Sequence, residues 1–192
     1  MSGTDHFFWF ENGEAVAQHV EEFLTGGRGA HRGGRRLATV VFGDIVGSTE
    51  IAGRLGDARW RDLLESHDGV VRELRRFGGQ EVKFTGDGFL ALFDAPDAAV
   101  DFATATIAAM APLQLELRIG LHAGIVEMRG TDVAGMAVNV AARLLGHAGA
   151  SDIVVTRTVK DLLAGGEHAM APLGRHRLKG VDDDWELYRV AP

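Results

Sequence analysis

The sequence of 192 residues contains no cysteine, which excludes disulfide bonds and any metal site built from thiolates. It also lacks an apolar run of the roughly 20 residues that a membrane-spanning helix requires. The N-terminus has neither the basic start nor the apolar middle of a secretory signal peptide. We therefore expect a soluble, cytoplasmic protein that does not interact with a membrane.

Positive charge is also in short supply. The chain has 20 Lys and Arg against 27 Asp and Glu, a formal net charge of −7. This balance argues against a general nucleic-acid binder. No internal repeat is present. The length and the hydrophobic content of 46% suit one domain with a modest appendage.

Residues 80–93, with the sequence QEVKFTGDGFLALF, predict a β-hairpin. Val82 and Phe84 alternate with polar residues, as in a half-buried strand, and residues 89–93 form an almost wholly apolar second strand. Asp87 lies at the tip between two glycines. Because Asp-Gly is a common turn in folds of every kind, this stretch alone favours a purely structural turn.

A second aspartate, Asp44, closes another apolar run. Residues 37–42 predict a strand, and GDIVGST follows at residues 43–49, with a helix predicted to open at Ser48 or Thr49. A glycine-containing loop between a strand and a helix is a common phosphate cradle. A carboxylate beside such a loop suits Mg²⁺. Two strand-end carboxylates from neighbouring strands could hold two ions, the arrangement used for in-line phosphoryl displacement.

The rest of the chain mixes helical and strand patterns without strict βαβ repetition, which favours an α+β sheet covered mainly on one face. A long helix over residues 59–77 carries an apolar stripe, in which His67 is interpreted as a core histidine. The stripe consists of Trp60, Leu63, Leu64, His67, Val71 and Leu74. The other predicted elements are a helix from Pro96, a strand over 115–126 carrying Arg118 and His122 on one face, a helix over 134–145, a strand over 152–155, a short helix over 157–163 and a closing hairpin of 175–179 with 185–190.

Asn139 and Arg143 are four residues apart in the predicted helix and project from the same face. Met136, Val140 and Leu144 are predicted on the opposite side. An asparagine and an arginine on an otherwise apolar helix require polar partners. Taken alone, the pattern favours a structural hydrogen-bonded pair.

The first residues predict a different unit. Residues 1–25 contain an amphipathic helical pattern preceded by His6, which resembles the tail of an α/β-hydrolase domain, and a solvated N-terminal helix is the equal alternative. No G-x-S-x-G motif is present, so no hydrolase activity follows. Residues 26–36, GGRGAHRGGRR, predict a flexible linker, and we place a second domain at residues 37–192.

Together, three motifs in this second domain resemble the catalytic domain of class III nucleotidyl cyclases, and closely the bacterial and actinobacterial adenylate cyclases. FGDIVGST supplies Asp44, EVKFTGDGFLA supplies Lys83 and Asp87, and TDVAGMAVNVAAR supplies Asp132, Asn139 and Arg143. The motifs occur in the family's order, and the last three residues have the family's spacing. A complete polar set in that order outweighs the structural interpretation of each motif. Some actinobacterial members follow an α/β-hydrolase domain, which fits the N-terminal pattern and suggests a truncated piece of a longer protein.

The resemblance implies a ferredoxin-like βαββαβ core with added strands and a head-to-tail homodimer with two shared active sites. It implies two divalent cations per site, Mg²⁺ or Mn²⁺, held by Asp44 and Asp87 with the carbonyl of Ile45. The phosphate-binding residues that it implies are Gly47, Ser48, Thr49, Arg118 and Lys179. An upstream regulatory domain is a further expected partner.

The resemblance also assigns substrate and reaction. Lys83 and Asp132 match the pair that recognises adenine, because an ammonium can donate to N1 and a carboxylate can accept from the exocyclic amine. The implied reaction converts ATP to 3′,5′-cyclic AMP and pyrophosphate. In it, Arg143 stabilises charge on the α-phosphoryl group and Asn139 orients the ribose.

Two other classes remain open: a catalytically silent nucleotide-binding regulatory module, and the diguanylate cyclases or polymerase palms, which share the two-metal arrangement. The complete polar set argues against the first, and the absence of a GGDEF-type hairpin argues against the second. Two departures from the family pattern stand out. Gly43 replaces a threonine or alanine, and the short segment from Gly124 to Asp132 suggests an abbreviated dimerisation arm and a weaker dimer.

Overall fold

The computed structural model describes residues 34–191, which form eight strands and five α-helices. The elements are β1 (Arg35–Ile45), α1 (Ser48–Leu55), α2 (Asp57–Val71), β2 (Gln80–Phe84), β3 (Gly88–Phe93), α3 (Pro96–Met110), β4 (Leu117–Arg129), β5 (Asp132–Ala134), α4 (Met136–Leu144), β6 (Ile153–Thr156), α5 (Arg157–Leu162), β7 (Met170–Arg177) and β8 (Asp184–Val190). Short 3₁₀ turns cover Arg72–Phe77, Ala111–Leu113 and Leu145–His147. The predicted N-terminal helix, its hydrolase-like pattern and most of the linker lie outside the described residues.

All eight strands belong to one sheet in the order β2-β3-β1-β4-β6-β8-β7, with β5 paired to β4. The first four strands alternate with helices as β1-α1-α2-β2-β3-α3-β4, and their order in the sheet is β2-β3-β1-β4. This is the ferredoxin-like βαββαβ arrangement, so the predicted fold is confirmed. The added strands extend it: β6 runs parallel to β4, and β8 runs antiparallel to both β6 and β7.

The two faces of the sheet are packed differently. On the back face, Val41 and Ile45 of β1 join the main core with residues of α2, α3 and α5. On the front face, Ala38 and Val40 of the same strand pack in a cluster with Ala137 and Ala141 of α4. The back face is thus the more fully covered one, as expected, and α4 crosses the front face. Among residues 34–191, no helix combines the length and apolar character needed to cross a bilayer.

The predicted apolar stripe of α2 packs onto the back face. His67 is fully buried, with its ring near those of Phe84 and Phe89, so its interpretation as a core histidine is confirmed. Val71 and Leu74 are buried beside it. These contacts place α2 directly behind the β2–β3 hairpin.

Three sequence predictions need correction. Strand β1 continues to Ile45 because its pairing with β3 persists through Asp44, so this aspartate lies within the strand. Met136 is 57% exposed, because α4 turns Ala137, Val140, Ala141 and Leu144 toward the sheet. Strand β7 begins at Met170, and a register irregularity between Pro172 and Gly174 interrupts the alternation that would have revealed it.

Gly43, the departure from the family pattern, is required by packing. A Cβ added at this position would overlap the ring of Phe89, which is itself 1% exposed in the back core. We predict that Gly43→Ala lowers the free energy of unfolding by about 1–3 kcal/mol through overpacking. Urea denaturation should show this loss. The double variant Gly43→Ala/Phe89→Leu should lose less stability than the sum of the losses in the two single variants.

The matched control is Gly69→Ala, because Gly69 lies within α2 and an added Cβ there meets no atom within 4 Å. This control should be neutral or slightly stabilising, since alanine favours helix more than glycine does. A Gly43→Ala protein as stable as the wild type would contradict the packing argument.

Candidate active site

The two aspartates of the metal motifs meet at one end of neighbouring strands. Asp44 pairs with Gly88 in the β1–β3 register, and the amide of Ile45 donates to the carbonyl of Asp87 over 3.1 Å. The hairpin tip is tight, with the Thr85 amide donating to the Gly88 carbonyl at 2.8 Å. Both aspartates are half-buried. The structure therefore brings together the two predicted metal ligands.

Gly88 allows this close approach. A Cβ added there would lie 2.7 Å from the carbonyl oxygen of Gly43 and 2.9 Å from Oγ1 of Thr85. Contacts this short are not tolerated, so a side chain at this position would push the hairpin away from β1. The Asp-Gly sequence thus provides more than a turn: it fixes the distance between the strands that carry the two aspartates.

Arg118, predicted to contact phosphate, lies against the first aspartate. Its Nε donates to Oδ2 of Asp44 at 3.0 Å, and its Nη2 donates to the same oxygen. The carboxylate is 21% exposed and the guanidinium-bearing side chain 38% exposed. Oδ2 of Asp44 therefore already has a cationic partner in Arg118.

The donors at this strand end fit a hard divalent cation. Two carboxylates and the Ile45 carbonyl are oxygen ligands of the kind that Mg²⁺ prefers. Within residues 34–191 no three His, Cys, Asp or Glu side chains converge as a ready-made metal cage. Magnesium sites commonly complete their coordination with water and substrate phosphates.

The loop after β1 leads directly into the N-terminus of α1. Gly47 adopts a left-handed conformation at φ 67° and caps α1, which begins at Ser48. The first amides of a helix have no partner within it, and they carry the positive end of the helix dipole. Ser48 and Thr49 lie in this first turn, which is the position predicted for the outer phosphates.

The predicted adenine-binding residues form an ion pair. Nζ of Lys83 donates to Oδ1 and Oδ2 of Asp132 at 2.8 and 2.9 Å, and the two side chains are 45% and 54% exposed. The amide of Val133 also donates to Oδ1 of Asp132 at 2.8 Å. The hydrogen bond from Lys83, followed by that from Val133, lowers the pKa of Asp132, which keeps the carboxylate ionised.

The third group comes from α4. Nε of Arg143 donates to the backbone carbonyl of Lys179 at 2.9 Å, which brings together two predicted site residues that are 36 positions apart. Asn139 and Arg143 are both exposed, so burial does not require that they pair with each other. The Nε contact orients the guanidinium and leaves its two terminal nitrogens available.

All these groups share the front face of the sheet. Asp44 lies four residues after the front-face residue Val40 in β1 and therefore on the same face, and Lys83 is paired with the front-face residue Leu90 of β3. Within the part of the chain that the structure describes, no hydrogen bond joins the three groups, which are Asp44–Arg118, Lys83–Asp132 and Arg143–Lys179. The two members of each pair contact each other, and no hydrogen bond links one pair to another within residues 34–191.

His122, predicted on the same strand face as Arg118, has a structural role. It is 6% exposed, its Nδ1 lies 2.8 Å from Oγ1 of Thr156, and its ring meets that of Trp185 edge to face. Burial lowers its pKa to about 4, so the ring is neutral at physiological pH. It therefore packs the sheet and offers no charge to the site.

Sequence reasoning missed the contact between Arg118 and Asp44 and the use of the Lys179 carbonyl by Arg143. The alternation of polar residues in β4 revealed the face on which Arg118 lies. The contact arises because β1 and β4 are neighbours in the sheet, and no local sequence pattern predicts that pairing.

Comparison with known proteins agrees with this geometry. The family model described as the adenylate and guanylate cyclase catalytic domain matches residues 35–191. A putative adenylate cyclase 3 of Rhizobium meliloti is 28% identical over 174 residues, covering 82% of this chain and 29% of that protein. This chain thus spans less than a third of the length of that relative.

Solved structures give the same result. The adenylyl cyclase CyaB from P. aeruginosa superposes with a TM-score of 0.76 at 25% identity, covering 82% of this chain and 95% of that one. An adenylate/guanylate cyclase/hydrolase from Silicibacter pomeroyi gives a TM-score of 0.70 at 28% identity, with coverage of 82% and 98%. The chain belongs to the adenylate and guanylate cyclase catalytic domain family. The resemblance to class III nucleotidyl cyclases is confirmed.

Proposed function

We propose that the protein is an adenylate cyclase, which converts ATP to 3′,5′-cyclic AMP and pyrophosphate. The observation that carries this proposal is the ion pair of Lys83 with Asp132 on the front face, the same face as Asp44. Two relatives named as adenylate cyclases support the proposal. One similar solved structure is named for both adenylate and guanylate cyclase.

The Lys83–Asp132 pair suits adenine and opposes guanine. Adenine presents an acceptor at N1 and a donor at its exocyclic amine, which match an ammonium and a carboxylate. Guanine presents a donor at N1 and an acceptor at O6, so both contacts would be mismatched. Because the two side chains are about half exposed, the pair can open toward a base without first losing a buried partner.

Asp44, Asp87 and the carbonyl of Ile45 would hold two divalent cations, Mg²⁺ or Mn²⁺. Bound there, such ions lower the pKa of the ribose 3′-hydroxyl and neutralise charge on the phosphates. The chain supplies the remaining electrostatics on the nucleotide. The first-turn amides at Ser48 and Thr49 would bind the outer phosphates, in line with the helix N-terminus that they form.

Arg118 and Lys179 add positive charge for the outer phosphates, and Arg143 would aim its terminal nitrogens at the α-phosphoryl group. The bond from the 3′-oxygen to the α-phosphorus forms while the bond to the β-phosphate oxygen breaks, and the hydroxyl proton leaves to solvent. Negative charge develops on the α-phosphoryl oxygens, where a preoriented guanidinium stabilises the transition state. Asn139, one turn before Arg143, would orient the ribose. We assign no side chain as a base.

We further propose that two chains form a head-to-tail homodimer with shared active sites. Within one chain the three groups of site residues are separate, since no hydrogen bond joins them in residues 34–191. A twofold dimer would bring the metal aspartates of one chain to the Lys83–Asp132 and Asn139/Arg143 groups of the other, and would contain two equivalent sites.

The base preference gives a direct test. We predict that the wild-type chain converts ATP, and that Lys83→Glu/Asp132→Cys loses its preference for ATP over GTP by about 10- to 100-fold, because polar groups of adenine are left unpaired. Chromatography of the products, with Mg²⁺ or Mn²⁺ present, measures cyclic AMP formed from ATP and cyclic GMP formed from GTP.

The matched control is Lys160→Glu/Asp161→Cys, which makes the same change of charge at an exposed pair on α5, where Nζ and Oδ1 are 3.8 Å apart. This control should retain the preference for ATP. An unchanged preference in the Lys83/Asp132 variant would place base recognition elsewhere. Wild-type protein that makes only cyclic GMP, or no cyclic nucleotide, would contradict the adenylate cyclase proposal.

A further inference from the structure

Two histidines face each other next to the Arg143–Lys179 contact. His147 ends the 3₁₀ turn that follows α4, and His176 lies in β7. Their ring centroids are 4.8 Å apart, with an angle of 60° between the ring planes. Arg143 precedes His147 by one turn, and Lys179 follows His176 by three residues, so the histidine pair and the arginine contact join the same two segments side by side.

The hydrogen bonding of His176 fixes its tautomer. Its Nε2 lies 3.0 Å from the carbonyl oxygen of Leu173, which can only accept, so Nε2 carries the proton. Nδ1 then keeps a free lone pair. Leu173 lies in the register irregularity between Pro172 and Gly174, and bulges of this kind re-aim groups beside functional sites. An imidazole N–H donated to a backbone carbonyl is the usual outer-shell support of a metal-binding histidine.

His147 is also suited to coordination. Burial, followed by the neighbouring charge of His176, lowers the pKa of His147, so its ring is neutral and has a lone pair at pH 7. Both histidines are half-buried, which leaves them accessible from solvent. The centroid separation of 4.8 Å brings the two imidazoles within reach of one ion.

We propose that His147 and His176 form a bidentate site for one divalent transition-metal ion such as Zn²⁺ or Ni²⁺, separate from the carboxylate site of Asp44 and Asp87. Imidazole suits zinc, nickel and copper, whereas magnesium prefers carboxylate and carbonyl oxygens. Since no third His, Cys, Asp or Glu converges with the pair within residues 34–191, water would complete the coordination.

An ion at this site would tie the turn after α4 to β7. These are the segments that hold Arg143 against the Lys179 carbonyl, so the ion would stabilise the support of the third group of site residues. Binding requires neither nucleotide nor turnover. The inference therefore stands or falls independently of the proposed cyclase reaction.

The experiment is calorimetric titration of the full chain with Ni²⁺ in the absence of nucleotide and in the presence of excess Mg²⁺, which occupies the carboxylate site. We expect one saturable site per chain, and at least a tenfold weaker association constant in His147→Ala and in His176→Ala. His168→Ala is the matched control, because His168 lies 3.4 Å from the Asp101 carboxylate and should leave the site intact. Excess Mg²⁺ should not displace the nickel.

A second measurement needs no variant. Paramagnetic Ni²⁺ should broaden the imidazole NMR signals of His147 and His176 before that of His168. No saturable binding, an association constant unchanged by either substitution, or broadening that spares the pair would each overturn the site.

Discussion

We expect the Asp87→Ala protein to fold as the wild type does and to make cyclic AMP at a rate lower by about a thousandfold or more, because the proposed metal-assisted phosphoryl transfer would lose several kcal/mol of transition-state stabilisation. Asp87 lies at a solvent-accessible hairpin tip, so its removal leaves the core untouched. Asp44→Ala should have the same effect on turnover, although it also frees Arg118 from its ion pair.

Three properties of the variant are measured: folding, turnover and metal binding. Circular dichroism and the urea midpoint report folding, cyclic AMP formation reports turnover, and titration with Mn²⁺ and an ATP analogue reports metal binding, which should weaken in parallel. The matched control is Asp94→Ala, which removes an exposed carboxylate just after the other end of β3, where Asp94 pairs with Arg36 at 2.9 Å. An exposed ion pair contributes about 1 kcal/mol or less, so this control should remain active. Substantial activity in a folded Asp87→Ala protein would rule out the two-metal assignment.

A mixture of two inactive variants should recover activity. Asp44→Ala alone and Arg143→Ala alone each have a defect in both sites of the proposed dimer and should be nearly inactive. In a mixed dimer, one site collects both defects and the other collects neither. Random exchange makes about half of the dimers mixed, so roughly a quarter of the wild-type cyclic AMP production should return.

The matched control mixes Asp44→Ala with Asp87→Ala. Asp44 lies in β1 and Asp87 directly precedes the paired strand β3 of the same chain, so each site of such a mixed dimer carries one of the two defects. This mixture should stay inactive at equal protein concentration. Subunit exchange is verified by mass spectrometry of a labelled partner. Exchange without recovery in the first mixture would show that each active site lies within a single chain.

Much of the fold and most of the proposed site follow from local sequence. The β2–β3 hairpin was predicted from alternation and an Asp-Gly turn, and the buried face of α2 from apolar spacing, because these signals act between neighbouring residues. The motif residues Asp44, Lys83, Asp87, Asp132, Asn139 and Arg143 were selected by order and spacing, and the family membership that they indicated is confirmed. Their individual roles remain proposals.

Tertiary structure decided which of these residues touch. Arg118 reaches Asp44 across 74 positions because β4 and β1 are neighbours in the sheet, and Lys83 reaches Asp132 across 49 positions. Tertiary packing also determines the length of β1, the requirement for glycine at position 43 and the contact of His147 with His176. Strand order and register bring together side chains that are remote in sequence, and periodicity within a single element contains no record of that arrangement.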